Sequence, residues 1–185
     1  MIHDNSSYDE AAFASQKVLQ TIRLGACGWN YPHWQAGFYP DDLPQDWRLS
    51  YYANEFSAVL LPEKQWRTDA VEPGEWAYDV TDNFRFYLQC DEFLDPLEQS
   101  KGIEWFGEKY GGMVCVSGGQ INDGVDKATG VAVINMQSKD MRGWREWLAQ
   151  HAASLQAIFL RGDKLSYQQL SDFKILLELL GYADS

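Results

Sequence analysis

The sequence predicts an α/β domain built on a mainly parallel sheet. Short apolar runs of strand length recur along the chain, at residues 22–26, 58–61, 84–88, 113–116, 131–134 and 157–160. Stretches with helical spacing stand between them, the alternation expected of βα units. Some of the runs are apolar at nearly every position, which suits strands covered on both faces.

Residues 1–20 are polar, with a weak amphipathic pattern through Phe13, Val18 and Leu19. They read as a mobile or helical arm ahead of a single domain spanning 21–185. Ile22, Leu24 and Ala26 alternate with Arg23 and Gly25 in the first strand. A long loop follows, broken by Gly28, Pro32, Gly37 and Pro40 and dense in aromatics. Leu49, Tyr52, Ala53 and Phe56 then fall at i, i+3, i+4 and i+7, one face of a helix. Residues 58–61 form the second strand and 84–88 the third. A helix is expected over 95–110, stopped by Gly111-Gly112.

Strands at 113–116 and 131–134 flank a loop rich in Gly, Asp and Asn. The pattern leaves open whether the first joins the main sheet or makes a hairpin with the second. Ser138 has the position of an N-cap for a helix with an inner face of Met141, Trp144, Leu148 and Leu155. After a strand at 157–160, Ser166 and Gln169 have capping-box spacing. The helix they open carries Tyr167, Leu170, Phe173, Leu177 and Leu180, and Gly181 closes it.

Composition narrows the function classes. Hydrophobic residues make up 45% of the 185 residues and aromatics 15%, enough for a packed core. Formal net charge is −12 and no Lys/Arg run occurs, so neither nucleic acid nor an anionic membrane is an expected partner. No apolar stretch is long enough to span a bilayer, and the N-terminus lacks the basic-then-apolar layout of a secretory signal. The cysteines, Cys27, Cys90 and Cys115, are odd in number and widely spaced, which predicts reduced thiols in a cytoplasmic protein and no disulfide framework. Neither a metal-ligand cluster nor a cofactor motif is present. Ser117-Gly118-Gly119-Gln120 lacks the lysine and spacing of a phosphate loop and reads as a turn.

The stretch from Gly25-Ala26-Cys27-Gly28-Trp29-Asn30-Tyr31-Pro32-His33-Trp34 through Gly37-Phe38-Tyr39-Pro40 resembles the N-terminal signature of the YecE-like family, a domain of unknown function. Leu43-Pro44, Leu49-Ser50-Tyr51-Tyr52-Ala53 and Phe56 continue the likeness in register, and Asn83-Phe84-Arg85-Phe86 is similar to the family's third strand. Residues 157–161, with the helix through Leu180-Gly181, resemble its fifth unit. The resemblance implies a TIM-type barrel, incomplete here at about five to six βα units, because a full barrel takes about 250 residues. An open parallel edge invites pairing. The gap is therefore expected to be covered by a second copy, by a partner chain or by the strand at 113–116.

On that fold, chemistry belongs at the C-terminal ends of the strands. The loop after the first strand would supply Trp29, Tyr31, Trp34 and Tyr39 as an aromatic ligand wall, or these rings simply pack the barrel end. Cys27 is a candidate nucleophile and His33 a candidate acid/base, each with a structural alternative. Cys90 reads as a buried, inert thiol. Arg161 ends the fifth strand and is a candidate anion-binding residue, or the partner of Asp163 in an ion pair. Arg85 alternates with Phe84 and Phe86 and so faces the other side of its strand.

Departures from the family pattern point away from catalysis. The family's second strand carries Glu and Asn where this chain has Val59-Leu60-Leu61-Pro62-Glu63. Its third ends in Lys where this chain has Leu88-Gln89. Its fifth has Glu and His around the arginine, where Phe159 and Gly162 stand here. The resulting expectation is a non-catalytic binding or interaction protein. The competing one is an enzyme for a small anionic substrate that uses Cys27, His33 and Arg161. Convergence of those three within about 3–4 Å of one point would favour the enzyme.

Overall fold

In a computed structural model, residues 21–68, 72–90, 96–115, 124–136 and 140–183 are described. The strand β1 (Arg23–Ala26) is the seam of the molecule. One sheet has the order β1-β7-β6-β5, with β5 at Gly124–Asp126, β6 at Val131–Asn135 and β7 at Ala157–Arg161. The other has the order β2-β3-β4, with β2 at Ala58–Leu61, β3 at Arg85–Cys90 and β4 at Tyr110–Cys115. Every pairing is parallel except β5 with β6. The fold is therefore mixed α/β with mostly parallel sheets. Among the described residues the hydrogen bonding does not close a barrel, and the outer edges of β4 and β5 are unpaired.

The two sheets meet where β1 ends. A single parallel bridge joins Cys27 to Leu60, and Gly28 N donates to Leu60 O at 2.8 Å. The helix α1 (Arg48–Glu55) reinforces this junction. Its buried Tyr52 hydroxyl accepts from Ala26 N at 2.8 Å and donates to Ala58 O at 2.9 Å, bridging β1 and β2. Gly25 makes the approach sterically feasible: a Cβ there would lie 1.9 Å from Ala58 O.

Alternation along the strands explains the near-continuous apolar runs. Val59, Leu61, Phe86, Leu88, Ile134, Ile158 and Leu160 pack outward in the large core shared with the helices. Ala58, Leu60, Tyr87, Val114, Val131, Val133, Ala157 and Phe159 form a second, inner cluster. That cluster draws on both sheets, so their inner faces curl around one interior.

Several elements differ from the sequence reading. A single helical turn, α2 (Glu63–Trp66), follows β2, and helix α3 (Pro96–Phe106) stops at Gly107, whose φ of +53° is left-handed, so that Tyr110 already begins β4. Gly111 and Gly112 are thus strand residues. At Gly111 a Cβ would meet the Tyr87 ring at 2.4 Å, so glycine there makes room for that ring. The strand β4 pairs in parallel with β3 and does not form a hairpin with β6. Helix α4 (Met141–His151) is capped by Asp140, which accepts from Gly143 N at 2.8 Å; Ser138 lies outside the described residues. Trp144 and Leu148 are its buried residues, Met141 is exposed, and Leu155 is buried beyond the helix end. Helix α5 (Tyr167–Leu179) has the expected Ser166–Gln169 capping box. It ends in a Schellman turn, in which Gly181 (φ +74°) donates to Glu178 O and Tyr182 N to Leu177 O.

The cysteine reading is corrected. Cys90 and Cys115 sit opposite each other in the β3–β4 register, with Cα atoms 4.8 Å apart, and are joined as a disulfide; Cys27 is the free thiol. An odd count is consistent with one bridge and one thiol. The arm at 1–20 and the turn at 117–120 lie outside the described residues. Among the described residues no helix is long and apolar enough to cross a membrane.

Candidate functional site

The loop after β1 is held together by its own backbone hydrogen bonds. A 3-10 turn, Pro32–Trp34, places Trp34 O to accept from the backbone N–H groups of Gly37, Phe38 and Tyr39. Trp34 and Tyr39 are each 1% exposed. The Trp34 ring stacks on Tyr31 and Tyr52, and Phe38 stacks on Tyr167 from α5. Tyr39 donates its hydroxyl to Trp29 O at 2.6 Å, and Trp29 meets Trp76 edge-on. These rings tie the loop to α1 and α5.

His33 belongs to the same scaffold. Its Nε2 and the indole Nε1 of Trp34 both donate to Leu165 O, each at 2.7 Å. A carbonyl only accepts, so Nε2 carries a proton.

A cavity of about 590 Å³ opens at the C-terminal ends of the strands. Cys27, Asn30 and Tyr31 line it from the end of β1 and the loop beyond, and Pro62, Lys64 and Gln65 from the segment after β2. Asn135 enters from the end of β6, and Arg161, Gly162 and Asp163 from the end of β7. The strand ends thus bring together two cations, one carboxylate, three amides, a phenol and a thiol. Open α/β sheets bind ligands at this position.

Of the residues singled out from sequence, Cys27, Tyr31 and Arg161 meet in this cavity. His33, Trp29, Trp34 and Tyr39 are not among its lining residues. The sequence reading missed Asn30, Lys64, Gln65, Asn135 and, as a cavity residue, Asp163. Asn30 was within reach of it, standing next to Tyr31 in the signature. Lys64 and Gln65 follow Pro62, just past the strand where the family pattern has its polar residues.

Electrostatics separate holding a ligand from attacking one. Part of Cys27 opens into the cavity, yet protein surrounds the thiol. Burial raises its pKa to about 12 from an ordinary 9.0, and the charge of Arg161 offsets this only in part. Burial likewise pushes up the Tyr31 phenol, helped by Cys27 and Asp163, although its hydroxyl donates to Cys27 O at 2.9 Å. Thiol and phenol are both neutral at physiological pH. Among the described residues, no three His, Cys, Asp or Glu side chains are grouped to hold a metal ion.

No curated protein and no solved structure matches the chain. The model of one family, protein of unknown function DUF72, matches residues 23–99. The matched stretch runs from β1 into α3 and supplies Cys27, Asn30, Tyr31, Lys64 and Gln65 to the cavity, while Asn135, Arg161 and Asp163 lie beyond it. Over residues 23–99, less than half of its length, the chain is similar to the DUF72, or YecE-like, family.

Proposed function

We propose that this chain binds a small anionic molecule in the cavity at the strand C-termini and does not transform it. One observation carries the reading: the only histidine of the signature loop is bonded to Leu165 O and does not line the cavity, while the free thiol that does is held protonated. A protonated thiol with no histidine among the residues lining its cavity is a poor nucleophile. Arg161 and Lys64 supply positive charge, and Asn30, Gln65 and Asn135 supply amide donors that fix orientation. Apolar Val59, Leu60 and Leu61, in place of the family's polar strand residues, agree with lost chemistry.

The strand order β4-β3-β2-β1-β7-β6 with a shared inner cluster supports an arc derived from a TIM-type barrel. Its unpaired outer edges favour a second copy completing it, for which a dimer by light scattering is the expected result and a monomer the contrary one.

The functional test is a thermal-shift screen of small mono- and dicarboxylates, followed by titration of Cys27→Ala and His33→Ala with whichever binds. Binding within about twofold of wild type and no product by NMR are expected. Turnover that either substitution abolishes would restore the enzyme reading.

A further inference from the structure

At the opposite end of the same strands lies a second cavity, of about 380 Å³, in which Arg23, Arg85, Tyr87, Tyr110, Thr21 and Gln156 take part. Its position follows from strand alternation. Arg85 is two residues before Tyr87, an inner-cluster residue, and so points to the same interior. Arg23 is two before Gly25, which packs against Ala58 of that cluster. The inner face therefore ends at the strand N-termini in two arginines beside the phenol of Tyr87.

Among the described residues no carboxylate lines this cavity. Neither arginine forms an ion pair among the described residues. Arg85 donates to Asp82 O at 2.5 Å and Phe84 O at 2.9 Å, which satisfies N–H groups but neutralises no charge. The Nε of Arg23 is buried and has no hydrogen-bond partner among the described residues. Both positive charges act on the Tyr87 hydroxyl, easing the rise in its pKa that burial causes. Like charges gathered at a partly desolvated site, with donors and no counter-charge, are costly unless an anion completes the set. Forked guanidinium groups beside a phenol match the oxygens of a tetrahedral or planar oxyanion.

We propose that Arg23, Arg85 and the hydroxyl of Tyr87 form a binding site for a small, multiply charged oxyanion at the N-terminal ends of the strands, separate from the cavity that holds Arg161.

The test is a titration of the full chain with inorganic phosphate at constant ionic strength, set with sodium chloride and followed by the arginine Nε–H resonances in NMR. Saturable shifts of Arg23 and Arg85 with one shared midpoint are expected, with Arg161 unmoved. Arg85→Gln should weaken the response at least tenfold and Arg85→Lys less, because it keeps the charge and loses the fork. The absence of saturation, a uniform drift of all arginines, or an unchanged midpoint in folded Arg85→Gln would each overturn the proposal. If Arg85→Gln does not fold, the wild-type titration decides by itself.

Discussion

The two ends of the strands enclose cavities of opposite character. The C-terminal end combines Arg161 and Lys64 with Asp163, a neutral thiol and three amides, the mixture of a site that orients a polar molecule. The N-terminal end brings together two arginines and two tyrosines, with no acid among the described lining residues. Between them, Ala58, Leu60, Val133 and Phe159 make a buried apolar layer. The difference comes from where the chain leaves the sheet: loops after β1, β2, β6 and β7 bring varied side chains to one end, whereas the other is built mainly from the first residues of the strands themselves.

The comparison holds only if the two sheets share an interior, and Gly25 tests that most severely. Gly25→Ala drives a methyl group into Ala58 O and is expected to cost about 3 kcal/mol or more, or to abolish cooperative unfolding, as read by thermal melting. Tyr52→Phe keeps the ring and loses both bridging hydrogen bonds. It should cost about 1–3 kcal/mol in denaturant titration, since it leaves two buried backbone groups unpaired.

Cys27 sharpens the description of the upper cavity. Its pKa is raised in the folded state, so its contribution to stability is fully present below pH 9 and is lost as pH rises toward 12. Cys27→Ala should flatten that alkaline limb of the stability profile. Iodoacetamide at pH 8 should label the folded protein slowly. After denaturation without reductant it should label one cysteine, Cys27, and after reduction three.

The smallest effect is expected at His33. His33→Ala should lower stability by less than about 1 kcal/mol, because Trp34 still donates to Leu165 O.

Much of this architecture was legible before any coordinates. Leu49, Tyr52 and Phe56 marked α1, Ser166 and Gln169 marked the start of α5, and the signature loop placed Cys27 and Tyr31 at a strand end. The rest depends on long-range register. Cys90 and Cys115 are 25 residues apart and meet only because β4 lies beside β3. Gly111-Gly112 imitates a helix stop, but the room glycine provides there is taken by the ring of Tyr87 from the neighbouring strand. His33 had a suitable ring for catalysis, and only the fold revealed Leu165 O as its partner. Arg23 looked like the polar half of an alternating strand until Arg85 joined it from β3 in one cavity.

The most direct test of the account is calorimetric titration of succinate into wild type, Arg161→Gln and Arg85→Gln. Binding to wild type that falls at least tenfold in Arg161→Gln and stays within about twofold in Arg85→Gln is the predicted result. Binding indifferent to Arg161, or no binding by wild type of succinate or any other carboxylate screened, would contradict the assignment of the C-terminal cavity as the ligand site.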